Sequence, residues 1–599
     1  MLGPVWAPRR QRPDRRCPWP EPDPVAVTAP RFLARTPAGP VKAEAGIAAP
    51  SDFPTAFVKP GLHVDYAGPA VHIGDRGIVI GHLFRRGLPS ERVLALTQIE
   101  LTQIFQSDGA SLLSEFWGGY VAFLPISGGN VRIIRDPSGT IPAYWRDTSE
   151  GIIVASELGR APFTSNEDLR IDAEALTVHL WTPHFAGRRT CIDGVSEILP
   201  GEALDFNRNG PLTVTLWSPW DHVPARRRGI TADPALLYDT VVDVVTTWGN
   251  CFQSVLLGLS GGLDSSIVAA ALASANCHVS GFTMYSPDDD SDERAYARMA
   301  ANACGISITS VDYDRERLDI TRPIATHVAR PFLAHYAQAI ANVRERAARE
   351  WGVDAYFSGN GGDNVFCMMR SVTPIVDRLA TRASPRGILR TIDDVAVLTG
   401  ADWLSIARRV LRRITSKTRY PPPKGDGSLL IADRLARAIE DVPRHPWYEV
   451  PHDASPASAA HVAMVRRALG NDGLHSRTTH PPSISPLLSQ PVMELCLGLP
   501  SWLWIEGGAD RAVARHAFRD ALPPALLDRR SKGGPGAFVH RTYLRHETEV
   551  VDRLRDGPLR DLGILGLPPK PRIVTDGITA QRMLALVAAD AWMRHWTDG

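Results

Sequence analysis

Two textures of apolar and polar residues divide the chain. From about residue 62 to 215, short runs of β-branched and aromatic residues recur between glycines and turn residues: Gly77 to Leu83, Gly119 to Leu124, Val131 to Arg135, Gly151 to Ala155 and Leu212 to Leu216. Runs of that length, bounded by turn chemistry, predict strands. Helical periodicity interrupts them at Glu91 to Phe105 and Asp172 to Leu180, so the first domain is expected to be α+β. Past about residue 235, apolar strands alternate with amphipathic helices, the pattern of a parallel sheet covered by helices. The expected strands are Ser254 to Leu259, Val279 to Tyr285, Ile306 to Asp312 and Ala355 to Ser358, with helices at about 264–275, 292–304 and 334–351. Beyond 372 the alternation gives way to helical segments and proline-rich loops such as Pro421 to Pro423, which predicts a mostly helical C-terminal lobe.

The first fifty residues carry neither texture. Arg9, Arg10, Arg12, Arg15 and Arg16 precede Pro18, Pro20, Pro22 and Pro24, a composition that predicts a flexible extension without secondary structure. The expected division is 1–55 for this extension, 56–225 for the α+β domain and 235–599 for the α/β domain. A length of 599 residues calls for more than one core, because single cores stop growing at about 250–300 residues.

Lys and Arg total 66 against 65 for Asp and Glu, so no global field draws the chain to nucleic acid or an anionic membrane. Arg226 to Arg228, and Arg408, Arg409, Arg412 and Arg413, read as solvated faces. The seven cysteines (17, 191, 251, 277, 304, 367 and 496) form no Cys-x-x-Cys pair and predict neither a disulfide framework nor a zinc site. With no apolar run near 20 residues and no secretory signal core, the expectation is a cytoplasmic protein without membrane insertion.

The chemistry concentrates in Ser260-Gly261-Gly262-Leu263-Asp264-Ser265-Ser266, which follows a strand ending at Leu259 and opens a helix. Successive backbone N–H groups and a positive helix end make an anion site there. The glycines let phosphates approach the backbone, and the three serine hydroxyls can donate to phosphate oxygens. Asp264 is unfavourable beside phosphates unless a cation intervenes, which points to magnesium. The loop does not end in Gly-Lys-Ser/Thr, which excludes the other common phosphate loop. It resembles the PP-loop of the ATP pyrophosphatases, which split ATP between its α- and β-phosphates.

A second block, Phe357-Ser358-Gly359-Asn360-Gly361-Gly362-Asp363-Asn364, resembles a segment of the asparagine synthetases and β-lactam synthetases. The resemblance implies that ATP is bound by Leu259, Ser260, Gly261, Gly262, Asp264, Ser265, Ser266, Ser358 and Gly359, with Thr283 and Met284 bordering the adenine. It also implies that Asp363 joins Asp264 as a ligand to Mg2+. Ser291-Asp292-Glu293-Arg294-Ala295 is similar to a helix start in the same family, and locally reads as an N-cap with acids in the first turn, without a catalytic role. Pro486-Leu487-Leu488-Ser489-Gln490, then Leu522-Pro523-Pro524 and Arg529-Arg530-Ser531-Lys532-Gly533-Gly534, resemble further family segments. There the lysine holds the leaving pyrophosphate or steadies the adenylate chemistry, so Lys532 completes the expected catalytic set with Asp264 and Asp363.

In the first domain, Arg135-Asp136-Pro137-Ser138-Gly139-Thr140-Ile141-Pro142-Ala143-Tyr144-Trp145, Ala155-Ser156-Glu157-Leu158 and the stretch Gly194 to Gly201 resemble the class II glutaminase fold. Glutaminases of that class use an N-terminal cysteine whose free α-amine serves as base. Here Met1 precedes Leu2, and Cys17 lies in the arm, so an inactive glutaminase-like domain is expected and the amine is expected to come from the substrate. Among amine-using relatives, the chain length, the wording at 359–367 and the insertion after it look most like a lasso peptide cyclase. That resemblance implies adenylation of an Asp or Glu side chain of a precursor peptide, then attack by the peptide's N-terminal amine to give a macrolactam, AMP and pyrophosphate. It implies a leader peptidase and a leader-binding protein as partners. Asn360 stands where β-lactam synthetases carry Tyr and asparagine synthetases Glu, and an amide cannot serve as a base. The alternatives are an asparagine synthetase-type enzyme using ammonia or another amine, and a non-catalytic peptide-binding scaffold.

Overall fold

Strand β5 (Gly77–Arg85) shows how the first domain is built, because both of its faces are buried. Ile78 and Ile80 enter a core shared by two antiparallel sheets, while Val79 and Leu83 point the other way, into a core shared with the second domain. The computed structural model describes residues 29–37, 53–127, 130–159, 170–183, 187–207, 210–224, 229–286, 292–313, 318–416, 445–470, 473–530, 533–566 and 577–597. One sheet has the order β11-β9-β10-β1-β3-β2, from β1 (Arg31–Pro37), β2 (Thr55–Lys59), β3 (Leu62–Ala67), β9 (Tyr144–Thr148), β10 (Gly151–Ala155) and β11 (Ser196–Glu197). The other has the order β13-β12-β8-β7-β5-β4, from β4 (Ala70–Ile73), β5, β7 (Phe116–Ile126), β8 (Asn130–Arg135), β12 (Glu202–Asn207) and β13 (Gly210–Thr215), with β6 (Glu91–Arg92) beside β5. The sheets meet through residues such as Phe32 and Phe123, whose rings pack edge to face at 5.0 Å.

Two sequence expectations change here. Residues 31–37, placed in the flexible 1–55 extension, form β1 and pair with both β3 and β10. Phe32 and Ala34 fill the inter-sheet core and Leu33 faces a second cluster, a strand alternation hidden by the surrounding Pro and Arg. The helix expected over Glu91 to Phe105 begins only at Gln98, because Thr97 and Glu100 form a reciprocal capping box, and Glu91 and Arg92 pair with β5 instead.

The second domain carries a parallel sheet of order β16-β15-β14-β17-β18, from β14 (Ser254–Gly258), β15 (His278–Tyr285), β16 (Ser307–Asp312), β17 (Ala355–Ser358) and β18 (Ser483–Ile484). Helices Pro234–Gly249, Leu263–Leu272, Arg294–Cys304 and Ala337–Trp351 accompany it. The chain runs outward from β14 through β15 to β16 and then crosses back to β17 on the other side of β14, so a crevice opens at the carboxyl end of β14, where open α/β sheets bind ligands. The lobe beyond is helical, including Thr373–Ala380, Pro385–Thr399, Trp403–Thr415, Pro456–Ala468, Gly536–Arg555 and Gly577–Thr597.

The two domains share apolar core and buried polar contacts. Trp248 of the second domain packs edge-on against His82 and Phe84 of β5. Arg86 makes a two-point ion pair with Glu494 at 2.7 and 3.0 Å. Glu197 of β11 pairs with Arg135 at 2.7 Å and with Arg330 across the seam. Among the described residues no helix is long and apolar enough to cross a membrane. Cys17, Arg226 to Arg228 and Pro421 to Pro423 lie outside the described residues.

Candidate active site

The loop after β14 is shaped by what its glycines touch. Gly261 has φ +67°, and a Cβ there would stand 2.5 Å from Tyr296 Cβ, so only glycine fits against the Arg294–Cys304 helix. Gly262 is the N-cap of helix Leu263–Leu272 and no side chain caps that helix, which leaves its first-turn N–H groups for an anion. The Ser260 and Ser265 hydroxyls lie 3.3 Å apart, and Ser265 Oγ donates to Gly262 O at 3.2 Å, so the serines brace the loop.

The second glycine-rich loop interlocks with the first. β14 and β17 are parallel neighbours with Gly258 opposite Ser358. A Cβ on Gly359 would stand 2.5 Å from Ser265 N, and one on Gly362 would stand 2.6 Å from Asp264 Oδ1. Gly361, at φ +86°, would meet Leu488 Cδ2 at 2.5 Å. Between the loops lies a polar cavity of about 270 Å³.

Of the residues expected at the nucleotide, Ser260, Gly262, Asp264, Ser265, Gly359 and Asp363 line this cavity, as do Asn360 and Asn364. Leu259 and Ser266 are buried behind it, and Gly261 faces the neighbouring helix. Thr283 and Met284 lie near the carboxyl end of β15, beside β14, where Met284 packs with Leu256, Phe282 and Val343. Ser358 has its hydroxyl 3.3 Å from Ser485 Oγ. Lys532 lies outside the described residues, as does Ser291.

Asp264 and Asp363 converge on one cation. Arg511 Nη1 donates to Asp264 Oδ1 and Oδ2 at 3.1 Å and also to Asp363 Oδ1. Its Nε donates to Asp510 at 3.2 Å, and Arg515 holds Asp510 from the other side at 2.6 Å. Arg511 is buried and sits at φ +53°, a conformation that disfavours side chains and is retained here among three carboxylates. Burial alone would lower the guanidinium pKa, but Asp264, Asp363 and Asp510 outweigh it and raise it. The convergence marks a position that requires positive charge. Hard oxygen donors facing a phosphate cradle are the kind that magnesium takes, and Asp264 and Asp363 are the residues here that could hold it.

A second cluster was read from sequence only as a helix start. Asp292 does act locally, accepting from Arg294 N at 2.9 Å. Glu293 instead accepts from Arg529 Nη2 at 2.6 Å and Gly533 N at 2.9 Å. Arg529 also donates to Gly261 O at 3.1 Å and lies over the Tyr296 ring at 4.1 Å. Glu293 therefore holds Arg529 and Gly533 at the start of helix Arg294–Cys304, and Arg529 in turn reaches the phosphate loop at Gly261. Sequence reasoning missed Arg511, whose only local signal was Asp-Arg before a short helix, and gave no site role to Glu293 and Arg529, although both lie in the family-like segments 291–295 and 529–534.

Glycine amides and a two-carboxylate cation position at a sheet's switch point define a nucleotide-using α/β enzyme. The chain belongs to the asparagine synthase family: the family profile, described as Asparagine synthase, matches residues 250–594, and membership makes it an ATP-dependent amide-forming ligase by class. A comparison with curated protein sequences finds no match. Solved structures found similar include glutamine phosphoribosylpyrophosphate amidotransferase from B. subtilis complexed with ADP and GMP, at 10% identity over 56% of this chain and 85% of that one, TM-score 0.18. Another is glutamine-dependent NAD+ synthetase from Acinetobacter baumannii in complex with adenosine diphosphate, at 16% identity over 51% of this chain and 59% of that one, TM-score 0.17. At such scores these likenesses carry no argument.

Proposed function

We propose that the chain is a lasso peptide cyclase, which activates an Asp or Glu side chain of a precursor peptide with ATP and joins it to the same peptide's N-terminal amine. The observation that carries the activation step is the convergence of Asp264 and Asp363 beside the glycine amides of both loops. In this reading ATP is a substrate. A peptide carboxylate oxygen bonds to the α-phosphorus as the bond to pyrophosphate breaks. The amine nitrogen then bonds to the acyl carbon, AMP leaves with the carbon–oxygen bond electrons, and the amine proton passes to solvent or phosphate.

The chain's own residues hold and orient. The amides of 263–265 and the Ser260 and Ser265 hydroxyls, which line the cavity, hold phosphate oxygens. Asp264 and Asp363 hold magnesium, which when bound neutralises charge on the leaving pyrophosphate. Lys532, which lies in sequence between Arg529 and Gly533, would balance the same charge.

Asn360 and the cysteines favour an amine carried by the peptide. Asn360 Nδ2 donates to Ala468 O at 3.3 Å and to Ser485 Oγ at 3.2 Å, so its amide braces the wall and offers no base. A peptide α-amine, with a pKa of about 7.7–8.0, is partly neutral near pH 8, and holding it beside the acyl carbon supplies much of the rate. Among the described residues every cysteine is at least partly buried and has its thiol pKa raised by burial, Cys191 to about 12 and Cys251, Cys277 and Cys304 to about 11. None of those is poised as the thiolate that glutamine hydrolysis requires. A leader peptidase and a leader-binding protein would act with this enzyme in the cytoplasm.

ATP–pyrophosphate exchange tests the reading. Exchange is expected with a leader-free precursor peptide and not with free aspartate. Exchange driven by aspartate alone would identify an asparagine synthetase-type enzyme instead. Product formation by Asp264→Ala at the parent rate would identify a scaffold.

A further inference from the structure

Outside the nucleotide site, two imidazoles and a carboxylate meet where the parallel sheet, a helix and the first domain come together. Glu345 projects from helix Ala337–Trp351, while His475 and His480 lie on the segment that leads into edge strand β18. One ligand atom from each can be chosen so that all three lie within 4.8 Å of one another. His480 Nε2 is 3.3 Å from Glu345 Oε1, and the two imidazole rings are 5.0 Å apart.

The decisive atom is His475 Nε2. His475 is only 6% exposed, packed against the Tyr356 ring at 5.0 Å, and its Nε2 is fully buried with no hydrogen-bond partner among the described residues. Buried ring nitrogens are normally satisfied, because an unmatched one forfeits its hydration. A metal ion bound at Nε2 would supply what this nitrogen lacks. His480 is prepared for the same role: its Nδ1 is 2.7 Å from Thr479 Oγ1, so a proton donated there leaves the Nε2 lone pair turned towards Glu345.

We propose that Glu345, His475 and His480 form a binding site for a divalent cation of the zinc class, which staples the segment before β18 to helix Ala337–Trp351. Two imidazoles and one carboxylate suit zinc and the neighbouring late first-row ions, whereas magnesium and calcium prefer all-oxygen sets such as Asp264 with Asp363. The side chains of Glu345 and His480 are 33% and 21% exposed, so water has access for the fourth coordination position.

The segment between the two histidines explains what a staple there would hold. Arg477 donates to Pro30 O at 3.1 Å and to Thr140 O, both in the first domain. Glu157 of the first domain accepts from Ser476 Oγ at 3.3 Å, Thr478 Oγ1 at 3.1 Å and the Arg477 backbone N–H. Past His480 the chain forms β18 and reaches Ser485, which accepts from Asn360 in the nucleotide cavity wall. Fixing residues 475 and 480 to one helix therefore stiffens the domain seam and one wall of the cavity together.

The test uses the full-length chain freed of metal by a chelator and then titrated with cobalt(II), whose visible absorption reports low-coordinate nitrogen and oxygen ligation. One equivalent should give a visible band that zinc abolishes, and zinc should raise the thermal unfolding midpoint. His480→Ala, at a partly exposed position that tolerates truncation, should lose the band or weaken binding at least 10-fold, as should His475→Ala. Asp264→Ala should keep the band. Absence of a band in the parent, its survival in His480→Ala, or its loss in Asp264→Ala with retention in His480→Ala would each overturn the site.

Discussion

Arg511 fills the point where Asp264 and Asp363 meet, so its removal exposes what those carboxylates need. Truncating one partner of a buried ion pair typically costs about 3–5 kcal/mol, because the remaining charges are left uncompensated. Arg511→Ala should therefore unfold at a markedly lower temperature than the parent without metal. Magnesium should restore more stability to the variant than to the parent, since it supplies the missing charge. Equal magnesium-induced shifts in calorimetry would show that these carboxylates do not bind the ion. The two aspartates were legible because each sits in a short local motif whose neighbours dictate its surroundings. Arg511 was not, because it lies 247 residues from Asp264 and its partners are set by the fold. The same loops make a steric prediction: Gly359→Ala places a methyl 2.5 Å from Ser265 N and must part the loops. Displacements near 1 Å cost about 100-fold in rate, so pyrophosphate exchange should fall by about that factor while the unfolding midpoint moves little.

At the scale of elements, the central parallel strands β14 and β17 could be read because each is a short apolar run buried on both faces, a pattern few other elements show. β18 could not, being two residues long and entering the sheet beside β17 from more than a hundred positions downstream. The Glu293 latch escaped for a similar reason, since an acid at a helix start normally serves its own helix. Its contacts with Arg529 and Gly533 give it a different task. If the latch works by positioning Lys532, Glu293→Gln should slow exchange about 10-fold, and Lys532→Ala should slow it more. The double variant should then be no slower than Lys532→Ala, because coupled residues are not additive. Strictly additive losses would assign Glu293 to stability alone.

The whole molecule depends on a seam in which buried charges cross between domains, and none of its pairings was visible in sequence. Glu197 of β11 is the sharpest case. Burial alone would raise its carboxyl, but Arg330 and then Arg135 outweigh that and hold its pKa at about 2 instead of 4.5. With the folded value depressed, the unfolded chain binds the extra proton between these two values. Stability from this group is therefore complete above about pH 4.5 and is lost as pH falls towards 2, an amount on the order of 3 kcal/mol. Glu197→Gln removes the titration and leaves Arg330 to its carbonyl partners Gly187 and Arg189. The variant should thus melt below the parent at pH 7, with the gap narrowing below about pH 4.5 and closing only near pH 2, where the parent's folded carboxylate protonates. A gap of equal size at both pH values would show that the Glu197 charge does not hold the domains together.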